Sequence, residues 1–365
     1  MNQKIFVTKT YLPGLEEYTE HLKDIWESGQ LTNAGSKFIE LQQKLAAHLG
    51  VSYILPVSNG TIALQLAIKA LELKGEIITT PFSYVATVSS IVWEGCEPVF
   101  VDIDRESLCI DSSKIEAAIT SKTSGILATH VYGNPCDVIE IKRIADKHGL
   151  KVIYDAAHAF DVQVSGRSIL NFGDISTLSF HATKVFHSAE GGAVVASDPE
   201  LIHRLGFLGN FGHKSTEEFW GLGVNAKISE LQAAMGLCVL PHIGDIIDHR
   251  KECTDLYNEL LSDHDSLELL QFNRGSRHNY SYYPVIFESE SMLKQVRDAL
   301  NAVEVYPRRY FYPSLDHLPY VTNNADLKIA NDISKRILCL PLSAGLSEND
   351  IRMICSVISQ NLDAE

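Results

Sequence analysis

The chain has 365 residues, 45% hydrophobic and 21% charged, which is enough apolar material for a large core or for one large and one smaller domain. Its 31 basic and 46 acidic side chains leave a formal net charge of −15, which argues against a general nucleic-acid binder, since that role needs a basic face. Seven scattered cysteines with no Cys-x-x-Cys pair argue against a disulfide framework or a metal site, and a start of MNQKIFVTKTYLPG with no membrane-length apolar run is read as cytoplasmic.

In chain order, SGQLTNAGSKFIELQQKLAAHLG predicts a loop and then an amphipathic helix. Its loop residues Thr32 and Asn33 are candidate substrate contacts, because a loop outside the main unit can cover a site or reach a partner subunit; simple packing is the alternative. From YILPV onward, short β-rich runs alternate with helical patterns. The strands are YILPV, EIITT, PVFVDI, GILATHV, KVIYDA, ISTLSFH and AVVAS. The helices are TIALQLAIKALEL, YVATVSSIVWEG, SSKIEAAI and DVIEIKRIADKHG. This alternation predicts an α/β fold, a mainly parallel central sheet with helices on both faces, and ligands beyond the carboxyl ends of its strands. After about residue 240 the texture changes. IGDIIDHRKECTDLYNELLS reads as a long helix, followed by strand SYYPVIF and helices SMLKQVRDALN and ENDIRMICSVISQNL. The expected division is a large domain over 1–240, including the N-terminal segment, and a small α+β domain over 241–365.

Three local features carry chemistry together. In SNGTIAL a strand meets a helix at Gly60 and Thr61, so free N–H groups and the helix dipole can hold an anion; an ordinary capped turn looks the same. In IYDAAHAF, Asp155 ends an apolar strand and needs a positive partner, either a protonated heterocycle or a structural arginine. In SFHATKVFHSAEGG, Lys184 sits beyond another strand end, where a lowered pKa would make it a Schiff-base former. A phosphate cradle, a strand-end aspartate and a strand-end lysine are what pyridoxal phosphate requires. Tyr84 in TPFSYVAT could stack on its ring, or could be a core aromatic.

These pieces, with LTNAG, PVFVDID, HVYGNPCD, GVNAKISELQAAMG and ILCLPLSAGLSENDI in order across most of the chain, resemble the DegT/DnrJ/EryC1/StrS sugar aminotransferases. That family belongs to the fold-type I group of pyridoxal-phosphate enzymes. The resemblance implies that Lys184 carries the cofactor and that Asp155 pairs with the pyridine nitrogen. It implies that Gly60, Thr61 and Ser179 hold the phosphate, that Tyr84 covers the ring, and that His158 contacts the ring hydroxyl. It gives Asn225 a reach to the phosphate of a second subunit, hence a homodimer, and gives Gly191 and Gly192 a turn role. Asp161 departs from the family, which often has glycine there. His187 either faces the sugar or is a solvent-facing loop residue. The stretch YPRRYFYP offers Arg308, Arg309 and Tyr310 for a nucleotide diphosphate, or is a surface hairpin.

The SFHATK…EGG form resembles the branch that aminates C4 of a nucleotide-linked 4-keto-6-deoxyhexose with L-glutamate as donor. Within that branch it is most similar to enzymes forming dTDP-4-amino-4,6-dideoxy-D-glucose, a deoxyamino sugar of the kind used for O-antigen or lipopolysaccharide. A 3-keto-sugar aminotransferase, a pyridoxal-dependent sugar dehydratase and a non-enzymatic regulator share the scaffold; Lys184 argues against the dehydratase, whose relatives can carry histidine there. GLGVNA mimics a dinucleotide fingerprint but lacks the preceding strand.

Overall fold

The computed structural model describes residues 4–272, 275–322 and 325–362. Its central sheet has seven strands: β1 (Tyr53–Val57), β2 (Glu76–Thr79), β3 (Glu97–Phe100), β4 (Thr123–Thr129), β5 (Lys151–Asp155), β6 (Ile175–Ser179) and β7 (Gly192–Ala196). They lie in the order β1-β7-β6-β5-β4-β2-β3. All neighbours are parallel except β7, which is antiparallel to both β1 and β6.

Strand side chains alternate between faces, and each face has its own core. Ile77, Ile153, Ile175 and Val194 pack with Ala63, Leu64, Ala67 and Ile68 of the helix Gly60–Ala70. Their sequence neighbours Ile78, Val152, Tyr154 and Val195 join a larger core with Leu41 and Leu45 of the helix Ser36–Leu49. Burial of each such leucine contributes about 1.5–3 kcal/mol. With both faces covered, the strands read as continuous apolar runs.

Numbering the helices in chain order gives α1 (Leu15–Ser28), α2 (Ser36–Leu49), α3 (Gly60–Ala70), α4 (Val85–Trp93), α5 (Val138–His148), α6 (Pro199–Gly209), α7 (Glu230–Val239), α8 (Ile243–Leu261), α9 (Glu290–Ala302), α10 (Lys328–Arg336) and α11 (Glu348–Leu362). Side chains cap several starts: Asn59, Asp137, Asp198, Ser229 and Ser289 each accept an N–H of the first turn. The run SSKIEAAI is helical only over Ser112–Ile115 and then tightens to a 3-10 turn at Glu116–Ala118, because so short a segment has little to propagate a helix.

A second sheet, β8 (Leu267–Leu269), β9 (Tyr283–Phe287) and β10 (Ile337–Leu340), is antiparallel in the order β8-β9-β10. The long helix α8 serves both units. Ile243, Ile246 and Ile247 belong to the large core, whereas Cys253, Tyr257 and Leu261 pack with Val285, Phe287, Val296 and Ile354. The chain's first strand, Ile5–Phe6, pairs in parallel with Val305–Tyr306, so the N-terminal segment is tied to the second unit. Among the described residues no helix is long and apolar enough to cross a membrane.

Candidate active site

The parallel strands bring their carboxyl ends to one edge of the sheet. A cleft of about 1080 Å³, part of it open to solvent, lies there. Asn59, Gly60 and Thr61 at the start of α3, Tyr84, Asp155, His158, Ser179, Lys184, Arg308 and Tyr310 all line it. The helix start is presented by close packing. A Cβ on Gly60 would lie 3.0 Å from the Cβ of Ser179, and one on Gly192 would lie 2.6 Å from the Asn59 carbonyl carbon and 2.7 Å from Gly60 N. Glycine at both positions lets β6, β7 and the α3 turn converge. The Asn59 side chain takes the N–H of Ile62, while helix geometry leaves the N–H groups of Gly60 and Thr61 without an acceptor inside the helix.

Asp155 is 4% exposed. Its Oδ1 accepts from the Ala157 N–H at 3.1 Å and its Oδ2 from the Thr87 hydroxyl at 2.8 Å. Thr87 has one proton and gives it to the carboxylate. Its oxygen therefore accepts from Ser83 at 2.7 Å, and Ser83 accepts from Thr129 at 3.0 Å. Burial still pushes the Asp155 carboxyl above its ordinary range, against these donors and the Lys184 charge. It is a buried carboxylate short of positive charge, and a protonated ring nitrogen would supply it.

Burial pushes the Lys184 amine down to about 8, while Asp155 and Tyr84 pull it back toward the ammonium form. The Tyr282 ring stands 5.8 Å from Lys184 Nζ and 4.8 Å from the His158 ring. His158 is buried, which holds its pKa well below the ordinary value, and the nearby lysine charge adds to this. Its Nδ1 accepts the Tyr132 N–H at 3.3 Å, so the neutral ring carries its proton on Nε2. A helix-start anion cradle, a carboxylate short of a cation, an imidazole N–H and a low-pKa amine suit the phosphate, ring nitrogen, ring hydroxyl and aldehyde of pyridoxal phosphate.

Other expected site residues stand elsewhere. His187 neither faces the cleft nor meets solvent. It is 1% exposed, donating from Nε2 to the Tyr11 carbonyl at 2.7 Å and accepting the Ala189 N–H at Nδ1. Arg309 also turns away, donating to Glu290 Oε1 at 3.0 Å and to the Lys335 carbonyl at 2.9 Å, with Tyr312 stacked on it at 3.5 Å. Arg308 lies against Tyr310 at 4.8 Å and lines the cleft. Thr32, Asn33 and Asn225 are exposed and do not line the cleft of their own chain. Tyr84 is no core aromatic but a half-exposed residue at the α4 cap. Sequence reasoning missed Thr87, Ser83, Thr129 and Tyr282. Only Thr87 carried a signal, since it is in the first turn after Tyr84.

The DegT/DnrJ/EryC1/StrS aminotransferase family matches residues 14–359. The dTDP-4-amino-4,6-dideoxy-D-glucose transaminase of Shigella dysenteriae is 43% identical, over 99% of this chain and 100% of that protein. The Escherichia coli protein of the same name is 40% identical, over 98% and 99%. The GDP-perosamine synthase of Vibrio cholerae is 31% identical, over 95% and 97%. Among solved structures, DesI in the presence of its TDP-sugar product superposes with a TM-score of 0.96 at 31% identity, covering 100% of this chain and 94% of that one. The fold is therefore that of the fold-type I pyridoxal-phosphate enzymes. On the near full-length match and the site geometry together, the chain belongs to the DegT/DnrJ/EryC1/StrS aminotransferase family and is a pyridoxal-phosphate-dependent enzyme.

Proposed function

We propose that the protein moves the amino group of L-glutamate to C4 of a nucleotide-linked 4-keto-6-deoxyhexose, with dTDP-4-dehydro-6-deoxy-D-glucose as its substrate. The observation that carries the chemistry is the low-pKa Lys184 amine, sharing one cleft with the buried Asp155 carboxylate and the glycine-opened start of α3. The choice of sugar rests on the 43% and 40% identity to two proteins named as dTDP-4-amino-4,6-dideoxy-D-glucose transaminases.

Bound pyridoxal phosphate supplies an electron sink, so that a proton can leave the carbon next to nitrogen. The chain's residues do the rest. Gly60, Thr61 and Ser179 would anchor the phosphate, and Tyr84 would cover the ring face. Asp155 would keep a proton on the ring nitrogen, and His158 Nε2–H would serve the ring hydroxyl. Lys184 would hold the cofactor through its amine, and that amine, when free, would move the proton released next to nitrogen. Glutamate gives up its α-nitrogen and α-hydrogen, takes its keto oxygen from one water, and leaves as 2-oxoglutarate. The keto sugar gains nitrogen and hydrogen at C4 and loses its oxygen as water. Arg308 and Tyr310 line the cleft wall, which supports their meeting the anionic part of a substrate.

The working unit is proposed to be a homodimer. Asn225 closes a segment whose Phe211, Phe219, Trp220, Leu222 and Val224 are all exposed. A second copy burying this segment would let Asn225 reach the partner's phosphate, and sedimentation at twice the chain mass tests it. For the reaction, the holoenzyme is incubated with L-glutamate and, separately, dTDP-, GDP- and UDP-linked 4-keto-6-deoxyhexoses. The expected product is an amine at C4 of the dTDP sugar, located by NMR. An amine at C3, or loss of sugar oxygen with no amine retained, would overturn the reading.

A further inference from the structure

Behind the cleft lies a buried polar network that takes no direct part in this chemistry. Arg250, on α8, is 3% exposed. Among the described residues its hydrogen bonds are to main chain: Nη1 donates to the carbonyls of Tyr280 and Ser281, both at 3.2 Å. Burying a guanidinium against carbonyls alone is costly, and burial pushes its pKa down to about 10. The segment it grips is shaped for one purpose. Asn279 is fully buried, and its Nδ2 donates to the carbonyls of His158 at 2.9 Å and Phe160 at 2.8 Å. Asn279 Oδ1 accepts the Ser281 N–H at 3.2 Å, and Ser281 Oγ donates to the same His158 carbonyl at 2.7 Å. Tyr280 between them takes the left-handed backbone conformation, with φ at 49°. The residue after Ser281 is Tyr282, whose ring stands against both His158 and Lys184. Gly133 leaves room for this arrangement, since a Cβ there would lie 2.6 Å from Asn279 Oδ1.

We propose that Arg250, Asn279 and Ser281 are positioning residues that fix His158 and Tyr282 around Lys184 and shield the Tyr282 side of the lysine from water. The inference rests on Lys184 being the reactive amine. Arg250 sits on α8, the helix shared by the two cores, so the network links the second unit to the main chain of the cofactor site. The groups facing Lys184 are Asp155 and Tyr84, which favour its ammonium form, the neutral His158, and the Tyr282 ring. His181, Glu190 and Arg308 line the same cleft. If the Tyr282 wall loosens, water enters and the lysine moves toward an ordinary value.

The test needs a readout that a merely structural tie would leave alone. Competitive labelling of the full-length, cofactor-free protein with acetic anhydride, followed by mass spectrometry of the Lys184 peptide across pH, reads the lysine while its amine is free, without substrate or turnover. In Arg250→Met the labelling midpoint is expected to rise by about half a unit or more. Turnover by the holoenzyme is expected to fall about tenfold, with KM for the keto sugar changed less than about threefold. Arg250→Lys should recover part of both. Ser281→Ala, a smaller change that keeps every charge, should move both in the same direction by less, and serves if Arg250→Met does not fold. A lower thermal midpoint with labelling and kcat at wild-type values would overturn the proposal. A shifted labelling midpoint in a protein that does not aminate the sugar would sink the proposed substrate and leave the positioning role standing.

Discussion

At the scale of single residues, the reactivity of Lys184 is set by a contest: burial drives the amine down to about 8 while Asp155 and Tyr84 resist. The free amine is the form that attacks an aldehyde. Capture of pyridoxal phosphate by the apoprotein should therefore accelerate about tenfold per pH unit below 8 and level off above it. A rate still climbing at pH 10 would mean an ordinary solvated lysine. The same shift has a sign for folding. The unfolded chain binds this proton more tightly, so Lys184 favours unfolding below pH 8, and the penalty fades as pH rises toward 10.5. Lys184→Met should raise the thermal midpoint of the apoprotein at pH 7 and do so less at pH 10. For Asp155, Thr87→Val keeps the shape and removes one donor. It should weaken cofactor binding about tenfold in a spectroscopic titration, and unchanged affinity would show that the carboxylate does not depend on Thr87. Lys184 and Asp155 were legible because each ends or follows an apolar strand in a sheet that presents such residues at one edge. Tyr282 was not, since its partners His158 and Lys184 come from distant parts of the chain. Nor could sequence alone separate Arg308 from Arg309. In extended backbone adjacent side chains face opposite ways, and only the packing says which way is the cleft.

At the scale of elements, the site depends on how closely β7 passes the start of α3. Gly192→Ala would put a methyl group 2.6 Å from the Asn59 carbonyl carbon and 2.7 Å from Gly60 N, so backbone must move. The expected cost is about 1–3 kcal/mol in chemical denaturation, with a loss of cofactor affinity larger than the loss of stability predicts. A variant that kept wild-type affinity would show that the turn is not the cradle. The strands of the central sheet were legible from their apolar runs, and α3 and α4 from their patterns between them. The helices α1, α6, α7 and α10 escaped, and none of them lies between two strands of the central sheet. His187 illustrates the same limit. It sits in a loop by sequence, yet the Tyr11 carbonyl from the N-terminal segment closes over it.

At the scale of the whole molecule, the ties between the two units include α8, the Asn279 and Ser281 bonds to the His158 carbonyl, and a buried carboxylate. Asp102 is 5% exposed and accepts the N–H groups of Ile103, Ile329 and Ala330, capping α10 from the large sheet's side. Asp102→Ala leaves those donors buried and should cost about 1–3 kcal/mol, read as a lower thermal midpoint; an unchanged midpoint would deny the tie. The exposed apolar side chains argue for a second copy. Leu222 is 76% exposed and Trp93 81%, more apolar surface than a lone chain usually leaves together. Leu222→Asp should shift the sedimenting mass toward one chain and lower activity in parallel. Full activity in a monomer would rule out a shared site. No sequence pattern announced this surface, because an exposed apolar residue reads in the sequence like one bound for the core.

The measurement that bears most directly on the central claim is the visible absorption of the protein loaded with pyridoxal phosphate, before and after excess L-glutamate, for wild type and Lys184→Ala. The account predicts that glutamate bleaches the wild-type band to that of the amine form of the cofactor, and that the variant neither forms the wild-type band nor cycles. A wild-type band untouched by glutamate, or a Lys184→Ala protein that cycles like wild type, would contradict it.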